Sequence, residues 1–454
     1  MKFNKWTLGL AAIGVVSLAS AARADEKMNA LQTALSNTTI SGYVSASFNW
    51  QVVGGNNIES PASDYIPFQG QNNSGYYYDY YNNQNTKQDG FNLDVVKLSI
   101  SKPEDESPWA SGYQIDLLFG PDAVGYNPSV NGKASGYYSY YYGTGNQADY
   151  AIKQAYVTLR TPVGNGIDWK IGVFDTIIGY EVFDAGSNPN YTRSYGYAVE
   201  PTEHTGILAT YKINDEWSVS AGIANTLMSG INARAYHVYD YYYPQLDAWH
   251  KTFMGSLTYT APSSWGWAAG SSMYIGAVYG FGGDSSYSGS GYTTYGYGDG
   301  NQLNLYAGAT LNTPWKQLTT GFALDYVHNR GGGESYSYYN SPTSYASYQY
   351  WTDTLVAGLY GTFKATDKLS FNARGEWVYN RNYTHDKYYS GSAVVSNSSS
   401  TDNILELTGT IEYDLWANVV SRIEARYDHD MSGGTGDGYS ASSFGLYANV
   451  IYKF

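Results

Sequence analysis

Charged side chains stand at every second position in several segments of the C-terminal third of the chain. Arg422, Glu424 and Arg426 alternate with apolar residues, and Arg374 and Glu376 do the same in an earlier segment. A strand projects alternate residues to opposite faces, so each charged set shares one face. Rows of acidic and basic groups at this spacing attract or pair ions along a polar surface. They lack the nucleophile and partner base that covalent catalysis needs.

Other groups capable of chemistry form no recognisable site. The chain has no Cys, and its six His residues show no metal-ligand spacing. No combination of Ser, His and acidic residues is convincing as a catalytic set. We therefore expect no catalytic residue, no metal and no cofactor. The alternative, an enzyme, would need a nucleophile and a base clustered together.

The strands that carry these charges have the length and pattern of membrane-crossing strands. The last segment, 442–454, places Phe444, Leu446 and Val450 on one face and polar residues on most of the other. Its length suits a tilted strand that crosses a bilayer. A first strand from Thr39 to about Val52 has the same alternation. Pairing of the last strand with the first would close a barrel and remove its exposed edges.

The connections between strands alternate between short and long. Seven short turns lie at 103–111, 161–166, 214–215, 261–264, 312–314, 365–367 and 415–417. Eight long, polar connections lie at about 53–90, 121–150, 176–204, 226–249, 281–300, 329–349, 381–401 and 430–441. This arrangement predicts an all-β fold, a transmembrane antiparallel β-barrel of about 16 strands with short periplasmic turns and long extracellular loops. A secreted β-sandwich or adhesin, the alternative fold, would not sort its connections in this way.

The N-terminal residues have the pattern of an export signal. A basic start, a short apolar run and an Ala-x-Ala site predict a signal peptide over 1–24. We expect a periplasmic N-terminal segment over 25–38 and the barrel over 39–454. The precursor carries a net charge of −14, and the signal holds three basic residues and no acids, so the mature charge is −14 − 3 = −17. An acidic chain is a poor partner for nucleic acid.

Alternation and loop character give two sets of candidate site residues. Charges expected to face a wet barrel interior are Lys97, Asp116, Lys153, Lys170, Arg374, Glu376, Glu406, Arg422, Glu424 and Arg426. The third long connection, 176–204, is the least repetitive, and by analogy with general porins we expect it to fold inward as a constriction loop. Its candidate residues are Tyr180, Glu181, Asp184, Arg193, Glu200, Glu203 and His204. Structural roles stay open for both sets, as a loop that caps the wall and as salt bridges that stiffen it.

Several motifs resemble one family of barrels. They are QAYVTL at 154–159, GVFDTIIGYE at 172–181, NYTRS at 190–194 and HTG at 204–206. With related segments at 96–98, 116–120 and 364–369, they are similar to the OmpL-like β-barrel porin family (porin-2), mainly over residues 90–225. The resemblance implies an outer-membrane porin of a Gram-negative cell and supplies no catalytic residues. The Tyr-rich insertions are heavier than the family pattern.

Taken together, the sequence predicts passive diffusion of small hydrophilic solutes or ions through a water-filled barrel. Charges of both signs predict weak selectivity from the wall, with a bias toward cations from the acidic outer loops. The alternative is a structural or adhesive barrel whose Tyr clusters (76–81, 137–142, 239–243 and 336–339) bind surface polymer. Expected partners are outer-membrane lipid and lipopolysaccharide, and the barrel-assembly machinery through the strand that ends in Phe454. A homotrimer is expected by analogy with general porins.

Overall fold

The computed structural model describes residues 37–53, 89–123, 150–227, 231–232, 236–237, 245–246, 250–281, 292–295, 301–337, 344–389, 393–432 and 442–454. The expected signal peptide lies outside these ranges, as does the N-terminal segment apart from residues 37 and 38. The Tyr clusters also lie outside them, except for the strand backbone at 336–337.

Nineteen strands are described. They are β1 Thr39–Val53, β2 Gly90–Lys102, β3 Ser111–Phe119, β4 Tyr150–Thr161, β5 Ile167–Asp175, β6 Glu203–Lys212, β7 Trp217–Ala224, β8 Tyr236–His237, β9 Gln245–Leu246, β10 Thr252–Thr260, β11 Ser272–Phe281, β12 Tyr292–Tyr295, β13 Asn301–Asn312, β14 Leu318–Ser337, β15 Ser344–Lys364, β16 Leu369–Tyr389, β17 Ala393–Trp416, β18 Val419–Asp430 and β19 Ser442–Lys453. Sixteen of them form one closed antiparallel barrel. The other three are a two-stranded ribbon, β8–β9, and the short β12, which pairs with β14 beyond the end of β13.

The last strand closes the barrel on the first. β1 and β19 pair in antiparallel register, with Ala46 opposite Val450. The terminal residue continues this pairing, because Gly42 and Phe454 exchange two backbone hydrogen bonds of 2.9 Å. The predicted strand number and closure are confirmed.

Two of the predicted long connections are shorter than predicted. The segments 329–349 and 381–401 are largely continuous strand, because β14 pairs with β15 as far as Ser337↔Ser344 and β16 pairs with β17 as far as Tyr389↔Ala393. Both segments contain several Tyr residues, which are common in strands. Their sequences have polar residues at both odd and even positions, so they lack the apolar alternation that marks a membrane-crossing strand.

The two faces of the wall differ as alternation predicts. Leu407, Ile411 and Ile423 are exposed on the outside, while Glu406 and Glu424 are buried on the inside. A charge on the lipid face at mid-depth would cost about 2–4 kcal/mol for a basic residue, which explains the separation.

Helical structure in the described ranges is short. The one α-helix there, α1 Tyr195–Val199, begins after Ser194, whose side chain accepts a hydrogen bond from the Tyr197 amide. No helix in the described part of the chain is long and apolar enough to span a bilayer.

Candidate functional site

The connection between β5 and β6, residues 176–202, lies inside the barrel; we call it the inner loop. Its first residues pack on an apolar patch of the inner wall. Ile178 joins buried residues of β5, β6, β10, β11 and β13–β15, among them Phe174 and Tyr306. Tyr180 stacks on Tyr360 of β15, with ring centroids 4.0 Å apart and planes at 22°. The inner loop therefore starts on an apolar surface that excludes water from its contact with the wall.

The inner loop then reaches the charged wall of β16–β18 through an arginine. The Arg374 guanidinium lies 2.8 Å from Glu181 and 3.2 Å from Glu406, and all three side chains are 0% exposed. It also donates a 2.7 Å hydrogen bond to the backbone oxygen of Thr192. A buried charge is stable when it is paired and fully hydrogen-bonded. Arg374 thus joins two separate parts of the inner loop to the wall.

Wall carboxylates bind the backbone amides of the inner loop. Glu424 accepts hydrogen bonds from the amides of Tyr191 and Thr192, and Glu376 accepts from the amides of Tyr195 at 2.8 Å and Gly196 at 3.2 Å. These acceptors satisfy amides that would otherwise be buried without a partner.

Three carboxylates stand in one cross-strand row. Glu376 lies opposite Glu406, and Glu406 lies opposite Asp428. Like charges at directly opposite positions repel each other. Here the row is compensated by Arg374 and Arg426, and by the Tyr195 hydroxyl, which donates to Asp428 at 2.9 Å. The wall and the inner loop are therefore complementary, since each supplies the partners that the other lacks.

Two further arginines hold the middle of the inner loop. Arg422 donates to the backbone oxygens of Ala185 at 2.7 Å and Asn188 at 2.8 Å, and its Nε lies 2.7 Å from Glu412. Arg426 donates to the backbone oxygen of Arg193 at 2.6 Å. These hydrogen bonds go to backbone oxygens of the inner loop rather than to its side chains.

Further round the barrel, beyond β19 and β1, two buried lysines of β2 and β4 pair with acidic groups. Lys97 lies 2.8 Å from Asp184 of the inner loop and 3.1 Å from Asp116 of β3. Lys153 pairs with Asp175 and lies 3.5 Å from Glu203. Together with the apolar contacts of Ile178 on β10 and β11, the Lys97–Asp184 pair and the bonds to β16–β18 attach the inner loop to strands on both sides of the barrel.

The end of the inner loop returns to the wall at β13 and β14. Asn304 donates to the backbone oxygen of Val199 at 3.0 Å. Glu200 is buried, and the carboxyl group of Asp325 is close enough to act on it electrostatically. Burial raises the pKa of Glu200 well above its ordinary value, and the Asp325 carboxyl raises it further.

The residues predicted for the constriction loop, together with Lys170, lie in three places. Tyr180, Glu181, Asp184, Arg193 and Glu200 lie on the inner loop. Glu203 and His204, which we placed on the loop, belong to β6. Lys170 of β5 lies over the ring of Tyr156 at 4.9 Å rather than with the wall charges that bind the loop.

The structure changes the role expected for the wall charges. We expected Arg374, Glu376, Glu406, Arg422, Glu424 and Arg426 to line a wet interior. They do point inward, but the inner loop covers them, and each is at most 3% exposed. Alternation predicts which way a side chain points and carries no information about what covers it.

Sequence reasoning missed residues that complete the attachment. The Tyr43 hydroxyl donates to Asp184, and the Tyr191 hydroxyl donates to Asp94, which also accepts from Ser45 and Ser47. The inward face of β1, with Tyr43, Ser45 and Ser47 at alternate positions, was the available signal. In the described ranges, no group of three or more His, Cys, Asp or Glu could hold a metal ion.

A closed sixteen-stranded barrel with an apolar outer face and an inward-folded loop defines a transmembrane β-barrel of the porin type. The chain matches, over residues 37–454, the family model described as "Putative beta-barrel porin-2, OmpL-like", and it belongs to that family. It is an integral outer-membrane barrel and a porin. None of the curated proteins compared with the chain matches it.

Solved structures with similar folds are outer-membrane proteins. OmpT of Vibrio cholerae with loop L8 deleted is 11% identical, with a TM-score of 0.48 over 92% of this chain and 99% of that chain. An anion-selective porin from Comamonas acidovorans is 11% identical, with a TM-score of 0.45 over 92% and 99%. The channel DcaP of Acinetobacter baumannii is 11% identical, with a TM-score of 0.46 over 92% and 97%. The family assignment rests on the family match and on the barrel itself.

Proposed function

We propose that this porin lets small hydrophilic solutes or ions diffuse passively through a water-filled barrel, and that the inner loop sets the constriction. The observation that carries the proposal is the attachment of residues 176–202 to the inner faces of strands on both sides of the barrel. Near sixteen strands, wall side chains no longer fill the interior, so a segment inside the barrel decides how wide the passage is. A porin needs no catalytic residue, and we assign none.

The attachment makes the inner loop a fixed part of the wall. Its backbone is held by Arg374, Glu376, Arg422 and Glu424, whose side chains are buried. Charge-assisted hydrogen bonds are roughly twice as strong as neutral ones, so several of them together favour one position of the loop. Size exclusion at a constriction requires such a fixed position.

Liposome swelling with neutral sugars of increasing size tests the proposal. Arg422→Gln removes the contacts to Ala185 and Asn188 and should raise the largest sugar size that enters. Arg160→Gln is the matched control, because Arg160 pairs with Asp168 at 2.8 Å within the wall. An inserted, heat-modifiable barrel that admits no solute would contradict the proposal. An equal size limit in both variants would contradict the role of the inner loop.

The adhesive or structural barrel is the other candidate function. It depends on the Tyr-rich loops, which lie outside the described residues apart from the backbone at 336–337. The discriminating observation is whether the folded barrel conducts.

We propose partners from two features of the barrel, its apolar outer face and its last strand. The apolar outer face suits outer-membrane lipid, with lipopolysaccharide around the outer loops. Phe454 is 52% exposed and its backbone pairs with Gly42, so we propose that the barrel-assembly machinery recognises this last strand. Phe454→Ala should then lower the yield of heat-modifiable barrel in cells more than in detergent refolding.

A homotrimer is proposed as well, and native mass measurement of the detergent-extracted protein tests it.

The early part of the chain bears on export. We propose that residues 1–24 are a signal peptide removed in a Gram-negative cell. N-terminal sequencing of the outer-membrane form should read from Asp25.

A further inference from the structure

We propose that Asp184 and Asp175 are the residues that give this channel a preference for cations. The inference rests on the proposed function and names the class of ion that the passage favours. It places the cation bias, which the sequence assigned to the acidic outer loops, at one carboxylate of the inner loop and one at the end of β5.

Most charges inside the barrel are unavailable to a passing ion. Glu181, Arg374 and Glu406 are 0% exposed, and Arg426 and Asp428 are 1% and 2% exposed. They are also paired with one another or bonded to the loop backbone. A buried charge that is neutralised by its partner contributes little to the potential in the passage.

Asp184 differs from these groups because one side of it stays open. Its side chain is 37% exposed, while the other side accepts hydrogen bonds from Lys97 at 2.8 and 2.9 Å and from the Tyr43 hydroxyl at 3.2 Å. Lys97 is 8% exposed and is shared with Asp116. One buried ammonium thus faces two carboxylates, and the group that reaches solvent is negative.

Asp175, the last residue of β5, has the same arrangement. Its side chain is 40% exposed, whereas its partner Lys153 is 2% exposed and also faces Glu203. The two sites are neighbours, because Lys153 lies 5.5 Å from the ring of Phe183, the residue next to Asp184. The carboxylates Asp116, Asp175, Asp184 and Glu203 against the ammoniums Lys97 and Lys153 give −4 + 2 = −2.

An ion passing the inner loop therefore meets two exposed carboxylates with their counter-charges buried behind them. The fixed negative charge attracts cations and repels anions over about one Debye length. Two cations oppose this bias: Lys170, which lies over the Tyr156 ring, and Lys453, whose ammonium donates to the backbone oxygen of Gly186 at 3.1 Å.

The reversal potential of single channels in a KCl gradient tests the proposal. Wild-type channels should prefer potassium. Asp184→Asn and Asp175→Asn should each lower the cation-to-anion permeability ratio by up to about tenfold, because one unit charge about 6 Å from an ion in water changes the occupancy of a cation and of an anion by about threefold each, in opposite directions. Lys170→Gln should raise the ratio, and all three changes should shrink at high salt. Heat-modifiability on gels confirms that each variant is folded.

Asp168→Asn is the matched control, because Asp168 is also 37% exposed and also pairs with a basic residue at 2.8 Å, but lies beside the short turn between β4 and β5. It should change the ratio much less. A wild-type channel that prefers anions, or Asp184→Asn and Asp175→Asn ratios equal to that of Asp168→Asn, would overturn the inference and leave the porin function standing. Absence of any conductance would instead remove the proposed function, and the inference with it.

Discussion

Glu424 offers a test of how firmly the inner loop is held. Its carboxylate accepts the amides of Tyr191 and Thr192 and the hydroxyl of Thr410. Glu424→Gln keeps the size of the side chain but replaces one acceptor oxygen with an amide donor that faces backbone N–H groups. A hydrogen bond to a charged group contributes about 1.5–3 kcal/mol, so the loss of one bond lowers the local opening free energy by that amount.

The assay is hydrogen–deuterium exchange of the folded protein in detergent. Exchange through local opening becomes tenfold faster for each 1.4 kcal/mol lost, so peptides containing Tyr191 and Thr192 should exchange at least about tenfold faster in Glu424→Gln. Asp353→Asn is a suitable control, because Asp353 of β15 pairs with His328 at 2.8 Å within the wall. Unchanged exchange at residues 190–194 in Glu424→Gln would refute the view that wall carboxylates hold the loop backbone.

Three further predictions concern other contacts. The pKa of Glu200 is raised in the folded protein, so its contribution to stability is full below its ordinary pKa of about 4.5 and is lost as pH rises through the raised value. The thermal midpoint of Glu200→Gln, measured relative to that of wild type at the same pH, should therefore increase between pH 5 and pH 8. Tyr360→Leu should lower the thermal midpoint more than Tyr360→Phe, because only the first removes the ring that stacks on Tyr180, a pair that contributes about 0.5–1.5 kcal/mol; equal midpoints would argue against the stack. Gly42→Ala should reduce the yield of closed barrel on refolding, because an ideal Cβ there would lie 2.2 Å from a backbone oxygen of β2; Gly409→Ala, with nothing within 4 Å, should refold like wild type.

Alternation and turn chemistry predicted the barrel well. The strict period of two in the last strand and in β16–β18 reflects a wall with lipid on one side, which constrains every second residue. The hairpins β14–β15 and β16–β17 extend further than predicted, because beyond the membrane neither face of a strand needs to be apolar.

The site was predictable only in part. The position of the inner loop came from analogy with other barrels and from its composition, which differs from that of its neighbours. The burial of Arg374 and Glu406 could not be read from alternation, because it depends on a segment about two hundred residues away in sequence, as the Arg374–Glu181 separation of 193 shows. The contacts of Lys97 with Asp116 and Asp184 could not be predicted for the same reason, since they bring together β2, β3 and the inner loop.

The unit conductance of single channels tests the central claim most directly. Wild-type protein refolded into a planar bilayer should give discrete conductance steps. A chain in which residues 182–194 are replaced by a short Gly/Ser linker should give larger steps, because the segment that narrows the passage is gone. Equal steps in the two proteins would contradict the constriction, and a folded, inserted wild-type barrel without conductance would contradict the channel.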